Sequence, residues 1–180
     1  MIYNDMDGYL ILYDYDMYEH HEGRPDWDTL GAHTFADGKA DPFAKQVTKR
    51  LAAMMVNDMY ILTTICSHDN PDIRNEQIFD KMNTIIREYP FLNLCNFITC
   101  ESDKRNAISK FKGMKLTKSD ILIDDYKKNL AAWRNAGGTA IKYINGINSI
   151  GDWPGPYIDS TTMTVDQAVN TVLKAWYDNC

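Results

Sequence analysis

Short apolar runs and longer stretches with helical spacing alternate along most of the chain. Five runs, most of them with β-branched residues, predict buried strands: "MIYND", "MYILTT", "LCNFITC", "DILID" and "TAIKYI". The stretches between them place apolar residues every three or four positions, which predicts helices. Strands that alternate with helices in this way are typical of an α/β fold, in which helices cover both faces of a parallel sheet.

The helix bounds follow from residues that start and stop helices. Asp41 is suited to an N-cap and Pro42 to the first helical position, so "DPFAKQVTKRLAAMM" predicts a helix that begins at Pro42. The next helix, "IRNEQIFDKMNTIIREY", ends before Pro90 because the residue that precedes a proline disfavours helical geometry. The predicted apolar face of this second helix consists of Ile78, Met82, Ile85 and Ile86.

Three further helices are predicted in the second half of the chain. "SDKRNAISKFKG" closes on Gly113, and "KKNLAAWRNAGG" also ends in glycine, the residue that most easily adopts left-handed backbone after a helix. The last helix, at about residues 164–177, begins with a capping box of Thr164 and Gln167, and its apolar face favours core packing or a homodimer contact. That face consists of Val165, Ala168, Val169, Val172, Leu173 and Trp176.

An irregular segment interrupts the alternation after the first strand. From Tyr9 to about Gly38 the chain is rich in aromatic residues, histidines and acids. Its apolar residues follow neither the helical nor the strand period. It predicts a minimal cap insertion at about residues 10–57, within a single domain that spans residues 1–180. Two readings of its aromatic residues stay open: a pocket that stacks a nucleobase, or a small aromatic core. These residues are Tyr9, Tyr13, Tyr15, Tyr18, Trp27 and Phe35.

Composition narrows the functional classes. The formal net charge is −6 and the basic residues form no cluster, which argues against nucleic acid as a partner and leaves a small anionic ligand open. No stretch approaches the ~20 apolar residues that span a bilayer, and no secretion signal is recognisable at the start. The four cysteines match no zinc or redox spacing. We therefore expect a cytoplasmic protein with reduced thiols and no membrane partner.

Polar residues cluster where the predicted strands end. In chain order they are Asp5 and Asp7, Thr63 and Thr64, Lys104, and Asp124 and Asp125. The carboxyl ends of parallel strands meet at one edge of a sheet, where α/β folds bind ligands. Together these side chains provide what phosphoryl transfer requires. One carboxylate can attack phosphorus, a second can handle the proton, a hydroxyl and an ammonium group can hold phosphoryl oxygens, and further acids can bind Mg²⁺.

The order of these groups resembles the four sequence motifs of the haloacid dehalogenase-like (HAD) phosphatase superfamily. "DMDG", "ILTT", a lysine and "ILIDD" follow one another as they do in that superfamily. Within it, "IYNDMDG" and "LIDDYKKNLAAWRNAGGTAIKY" are most similar to the 5'(3')-deoxyribonucleotidase branch and its small bacterial and phage relatives. The resemblance covers about residues 1–148, and it implies a Rossmann-like three-layer sandwich with a central parallel sheet and a small cap insertion after the first strand.

The resemblance also implies catalytic roles. Asp5 corresponds to the nucleophile and Asp7 to the general acid/base. Thr63 corresponds to the hydroxyl that binds the phosphate, with Thr64 beside it. Gly8 corresponds to the glycine that lets the chain leave the first strand in a tight turn.

For the metal, the resemblance implies a Mg²⁺ site. Asp125 corresponds to a direct ligand of the metal, and Asp124 to a residue that orients Asp125 or a bound water. Asp5 and the backbone carbonyl of Asp7 complete the implied set of metal ligands. Lys104 is the preferred lysine of the third motif, because it follows the strand "NFITC" after a short loop. The competing lysines are Lys110, Lys112, Lys115 and Lys118.

The expected activity is Mg²⁺-dependent hydrolysis of a small phosphate ester, a nucleoside monophosphate by resemblance, through an aspartyl-phosphate. Two alternatives stay open: a phosphatase that acts on another small ester or on a nucleic-acid end, and a non-catalytic protein that keeps the fold and binds a ligand or partner. His20 and His21, with Glu19 and Glu22 on either side, are either a further metal site or part of an exposed polar loop.

Overall fold

The computed structural model describes residues 1–13, 35–65, 69–146 and 150–179, together with the backbone of two short segments, His20–His21 and Arg24–Pro25. The strands are β1 (Ile2–Asn4), β2 (Ile11–Leu12), β3 (His20–His21), β4 (Arg24–Pro25), β5 (Lys39–Ala40), β6 (Met59–Thr64), β7 (Phe97–Cys100), β8 (Ile121–Asp124), β9 (Thr139–Ile144) and β10 (Tyr157–Asp159). The helices are α1 (Pro42–Met55), α2 (Pro71–Glu88), α3 (Lys104–Lys112), α4 (Lys127–Asn135) and α5 (Val165–Tyr177). None of these helices has the length and apolar character that a membrane crossing requires.

Six of the strands form one parallel sheet. Their order is β10–β9–β8–β1–β6–β7, so β1 lies inside the sheet between β8 and β6. The chain moves outwards from β1 in both directions, and a ligand site is expected at such a switch point, outside the carboxyl ends of the strands. The predicted α/β fold with a central parallel sheet is thus confirmed, and the strand-end residues share one edge.

Side chains that alternate along the strands supply two hydrophobic cores, one on each face of the sheet. Ile121 and Ile123 lie in the core that also contains side chains of α1 and α5. Leu122, between them, lies in the opposite core with side chains of α3 and α4. Trp133 of α4 is fully buried there, and its Nε1 donates a hydrogen bond of 2.9 Å to the carbonyl oxygen of Asp120. Helices on both faces complete a three-layer sandwich.

The last helix begins as its sequence predicts. The Thr164 hydroxyl accepts a hydrogen bond from the amide of Gln167 at 3.3 Å, and the Gln167 side chain accepts one from the amide of Thr164 at 2.8 Å. On the apolar face, Ala168, Val169 and Val172 are buried in the same core as α1. This face therefore stabilises the fold itself.

The structure differs from the sequence-based expectation in two places. The sequence predicts five strands, but the three-residue strand β10 adds a sixth parallel strand to the sheet. The apolar face predicted for α2 is its buried face only in part, since Ile85 is fully buried but Ile86 is 48% exposed. The buried residues of α2 are Gln77, Asp80, Lys81, Thr84 and Ile85. Most are polar because this side of α2 faces the insertion and the strand-end residues rather than an apolar layer.

The end of the insertion is anchored on α2. The Thr84 hydroxyl donates to the carbonyl oxygen of Phe35 at 3.1 Å. Arg87 donates to the carbonyl oxygens of Ala36, at 3.2 Å, and Gly38, at 2.5 Å. β2 and β5 pair in antiparallel fashion and bring the two ends of the insertion together beside β1. The bounds of the cap and of the single domain stay predictions.

Three of the aromatic residues in this region belong to the core. Tyr9, Tyr13 and Phe35 are all less than 10% exposed, and the rings of Tyr9 and Tyr143 lie 4.6 Å apart. The rings of Tyr13 and Phe35 meet edge to face at 5.5 Å. These three therefore act as packing residues. The side chains of Glu19, His20, His21, Glu22, Tyr15, Tyr18 and Trp27 lie outside the described residues.

Candidate active site

The structure brings Asp5, Lys104 and Asp124 into direct contact. Asp5 follows β1, and its amide donates to the carbonyl oxygen of Ile123 at 2.9 Å, which extends the pairing of β1 with β8 by one residue. Its carboxylate is almost fully buried, and Oδ1 accepts a hydrogen bond from the amide of Met6 at 2.8 Å. The same Oδ1 lies 2.6 Å from Nζ of Lys104, whose ammonium group also lies 2.7 Å from Oδ2 of Asp124.

Local structure explains how these two partners are fixed. Lys104 is the first residue of α3, whose N-cap is Asp103, so the helix start delivers the lysine over the ends of β1 and β8. Asp124 ends β8 and is fully buried. Its Oδ1 accepts from the amide of Tyr126 at 2.7 Å, and its Oδ2 also accepts from Nδ2 of Asn129 at 3.0 Å. Lys104, the lysine preferred from the sequence, thus contacts two acids at the strand ends.

Asp5, Asp124 and Asp125 form an acidic cluster that could hold a metal ion. One carboxylate oxygen from each residue lies within 4.8 Å of those from the other two. Oxygen atoms of carboxylates are the ligands that Mg²⁺ and similar hard cations prefer, so the donor chemistry fits such an ion. We refer to these three residues as the acidic cluster, and to the same three with Asp7 as the strand-end carboxylates.

Gly8 has to be a glycine for this cluster to form. Its φ is +86°, and a Cβ atom at this position would lie 2.3 Å from Oδ2 of Asp125. The carbonyl oxygen of Gly8 accepts a hydrogen bond of 2.9 Å from Nδ2 of Asn145, which follows β9. The turn after β1 is therefore held against the ends of both β8 and β9.

Burial and charge perturb the ionisation of this group. Burial raises the pKa of Asp5 well above its usual range, and the negative charge of Asp124 adds to this effect, while Lys104 opposes it. For Lys104, burial alone would lower the pKa, but the charges of Asp124 and Asp5 outweigh it and raise the pKa. Lys104 is therefore held as an ammonium ion, and a second cation at the acidic cluster would favour the carboxylate form of Asp5.

Asp7 belongs to a second group of contacts, on the other side of the turn. Its Oδ2 accepts a hydrogen bond from the Thr63 hydroxyl at 3.1 Å and lies 2.5 Å from Nζ of Lys81. Lys81, on α2, also donates to the Thr63 hydroxyl and to the carbonyl oxygen of Thr64, both at 2.9 Å. The hydroxyl of Thr64 lies 3.7 Å from Sγ of Cys100, whose thiol pKa is raised by burial.

Two lysines thus pair with three of the four strand-end carboxylates. Lys104 joins Asp5 to Asp124, and Lys81 joins Asp7 to Thr63. Sequence reasoning singled out Lys104 but missed Lys81, because a lysine on an amphipathic helix is normally assigned to the solvent face. The available signal was the polar set on α2, which recurs with helical spacing at positions 77, 80, 81 and 84.

Comparisons with known proteins support the fold. No protein-family model matches the sequence, and no curated protein matches it either. A haloacid dehalogenase-like hydrolase from Streptococcus pneumoniae is similar in structure, with a TM-score of 0.62 and 13% identity over 95% of this chain and 97% of that one. The D,D-heptose 1.7-bisphosphate phosphatase of B. bronchiseptica, solved with magnesium and phosphate, has a TM-score of 0.57 and 12% identity over 96% of this chain and 97% of that one. A hydrolase from Pseudomonas syringae has a TM-score of 0.55 and 14% identity over 88% of this chain and 93% of that one. The chain therefore has the fold of the haloacid dehalogenase-like hydrolases.

Proposed function

We propose that this protein is a Mg²⁺-dependent phosphomonoesterase that forms an aspartyl-phosphate on Asp5. The observation that carries the proposal is the arrangement around Lys104, which contacts Asp5 and Asp124 at 2.6 and 2.7 Å beside the acidic cluster. A buried carboxylate next to an ammonium group and a cation site is what nucleophilic attack on an anionic phosphate ester requires.

The first step transfers the phosphoryl group to Asp5. Because Oδ1 of Asp5 is engaged by Lys104 and the Met6 amide, we assign the attack on phosphorus to Oδ2. As the new bond forms, the bond from phosphorus to the ester oxygen breaks, and its electron pair stays on that oxygen. Asp7 supplies the proton that turns this oxygen into an alcohol. Lys104 stabilises the negative charge that develops on the phosphoryl oxygens.

The second step returns the enzyme to its starting state. Asp7, now a carboxylate, accepts a proton from a water molecule whose oxygen attacks phosphorus. The bond between phosphorus and Asp5 breaks, its electron pair returns to the carboxylate, and inorganic phosphate leaves. The metal would be held by the acidic cluster, with the Asp7 carbonyl as a further ligand, and when bound it supplies positive charge that offsets the repulsion between carboxylate and phosphate.

For the substrate we propose a nucleoside monophosphate. Support comes from the resemblance of the first and fourth motifs to the deoxyribonucleotidase branch, and from the net charge of −6, which favours a small ester over a nucleic acid. A cytoplasmic location is part of the same proposal. Fold alone does not identify a substrate, so a panel of esters has to decide.

The test is release of inorganic phosphate from nucleoside 5'- and 3'-monophosphates and sugar phosphates, with Mg²⁺ and with EDTA. Two variants accompany the wild type: Asp5→Asn, and Asp178→Asn, which removes the same charge from the exposed end of α5. We expect release that needs Mg²⁺, disappears in Asp5→Asn and persists in Asp178→Asn. Folded protein that releases no phosphate from any ester, or an Asp5→Asn variant as active as wild type, would overturn the proposal.

A further inference from the structure

Lys81 is a fully buried lysine whose ammonium group is completely engaged. Its three polar contacts are Oδ2 of Asp7 at 2.5 Å, the Thr63 hydroxyl at 2.9 Å and the Thr64 carbonyl oxygen at 2.9 Å. An ammonium group has three N–H donors, so each has one acceptor. Burial of a lysine is costly unless its charge is paired and its donors are satisfied, and here both conditions hold.

The insertion holds Lys81 from the opposite side. Its Nζ lies 4.0 Å from the centroid of the Phe35 ring, within the range of a cation–π contact. The Thr84 hydroxyl, one turn further along α2, donates to the carbonyl oxygen of Phe35 and anchors the backbone that carries this ring. Lys81 thus sits between the anchored end of the insertion and Asp7, with little freedom to move.

These contacts give the two carboxylate oxygens of Asp7 different hydrogen-bond environments. Oδ2 accepts from both Lys81 and Thr63. Oδ1 is buried and has no hydrogen-bond partner within the part of the chain that the structure describes. Lys81 and Thr63 therefore hold the carboxylate of Asp7 through one oxygen and leave the other outside their contacts.

We propose that Lys81 is a positioning residue that holds the carboxylate of Asp7 through Oδ2 and so fixes the place from which Asp7 serves the leaving oxygen of the substrate. The inference rests on the proposed phosphatase function. As the bond from phosphorus to the leaving oxygen breaks, the electron pair stays on that oxygen and the proton that Asp7 supplies moves to it. Asp7 is left as a carboxylate facing Lys81, whose charge stabilises it without any rearrangement.

The test uses leaving groups that differ in their need for a proton. An alkyl phosphate needs one, because an alkoxide is a poor leaving group, whereas p-nitrophenyl phosphate releases a stable phenolate. In Lys81→Met we expect kcat for the alkyl ester to fall by about 100-fold or more, the size of a general-acid contribution. For the nitrophenyl ester, kcat should stay within about threefold of wild type. Lys45→Met, which removes a half-exposed lysine paired with Glu88 at 3.5 Å, is the matched control and should leave both rates unchanged.

A double-mutant cycle separates positioning from other roles. If Lys81 acts through Asp7, then Lys81→Met added to Asp7→Asn should cause no further loss on the alkyl ester. Should Lys81→Met fail to fold, as judged by circular dichroism, Lys81→Arg replaces it. The planar guanidinium group of arginine cannot reproduce the three contacts of the ammonium group. We therefore expect the same selective loss of kcat on the alkyl ester.

Each contrary result has a distinct meaning. An equal loss on both esters with a raised KM would show that Lys81 binds the phosphate, and equal rates in all variants would show that it has no part in the reaction. Either result overturns the positioning role and leaves the phosphatase intact. A wild-type protein that hydrolyses neither ester would instead overturn the proposed function, and this inference with it.

Discussion

Replacement of Gly8 by alanine should damage the proposed metal site far more than it damages the fold. Gly8 adopts φ of +86°, a left-handed conformation that costs an L-residue about 1–2 kcal/mol. The added Cβ would also lie 2.3, 2.6 and 2.9 Å from Oδ2, Cγ and Oδ1 of Asp125. All three distances are shorter than real Cβ contacts allow, so the carboxylate of Asp125 has to move.

The size of that movement sets the expected effect. Restoring an ordinary contact of 3.4 Å or more from 2.3 Å requires a shift of about 1 Å at Oδ2. Metal coordination tolerates deviations of only about 0.2 Å from its preferred distances. Disturbing the residues that orient a ligand typically lowers metal affinity by about 10- to 100-fold, and we expect a loss of that order for Mg²⁺ in Gly8→Ala.

Gly113→Ala is the matched control. Gly113 ends α3 with φ of +66°, also in the left-handed region, but a Cβ at this position meets nothing within 4 Å. Both variants should therefore lose similar stability in urea unfolding without metal. Only Gly8→Ala should bind Mg²⁺ more weakly in isothermal titration calorimetry, a measurement that does not depend on activity. Wild-type affinity in Gly8→Ala would refute the argument that Asp125 is held in place by the space beside Gly8.

Three further outcomes follow from buried or capping contacts. Lys104→Met leaves two buried carboxylates without their counter-ion, so metal-free protein should lose about 3–5 kcal/mol, and Mg²⁺ should raise its Tm more than that of wild type. Burial raises the pKa of Asp120, but hydrogen bonds from Lys112 and Thr117 outweigh this and lower it overall. Its contribution to stability is thus present above the unfolded pKa of about 3.9 and lost as the pH falls further, and urea unfolding of Asp120→Asn should lack this acid-dependent part. Thr164→Ala removes half of a capping box and should lower the free energy of unfolding by about 1 kcal/mol, whereas a stability equal to wild type would contradict the cap.

Local sequence signals were sufficient where they agreed with the packing around them. The helix that begins at Pro42 has its N-cap at Asp41, whose carboxylate accepts from two backbone amides, as the sequence predicts. β8 and β9 are short segments rich in isoleucine and have nearly the predicted bounds. The short strand β10 gave no such signal, because its three residues acquire their strand geometry from the exposed edge of β9.

In the candidate site, too, some residues could be predicted from the sequence and others could not. Residues that end strands could be placed together from the sequence alone, because parallel strands bring their carboxyl ends to one edge. Lys81 could not, since it comes from the middle of α2 and its burial depends on what that helix happens to face. Periodicity reports which side of a helix is apolar, and α2 buries mostly polar residues beside Ile85. A buried polar helix face is itself a sign of a nearby functional site.

The charges at this edge of the sheet explain why a phosphate ester would require a divalent cation here. When ionised, the three carboxylates of the acidic cluster contribute three negative charges, while Lys104, which contacts two of them, contributes one positive charge. Two negative charges remain uncompensated in the cluster, and they would repel a phosphate dianion strongly. Burial raises the pKa of Asp5, the proposed nucleophile, and the neighbouring negative charges add to this effect. The acidic cluster is thus short by the charge of one divalent ion, and filling that deficit would both keep Asp5 ionised and let an anionic substrate approach it.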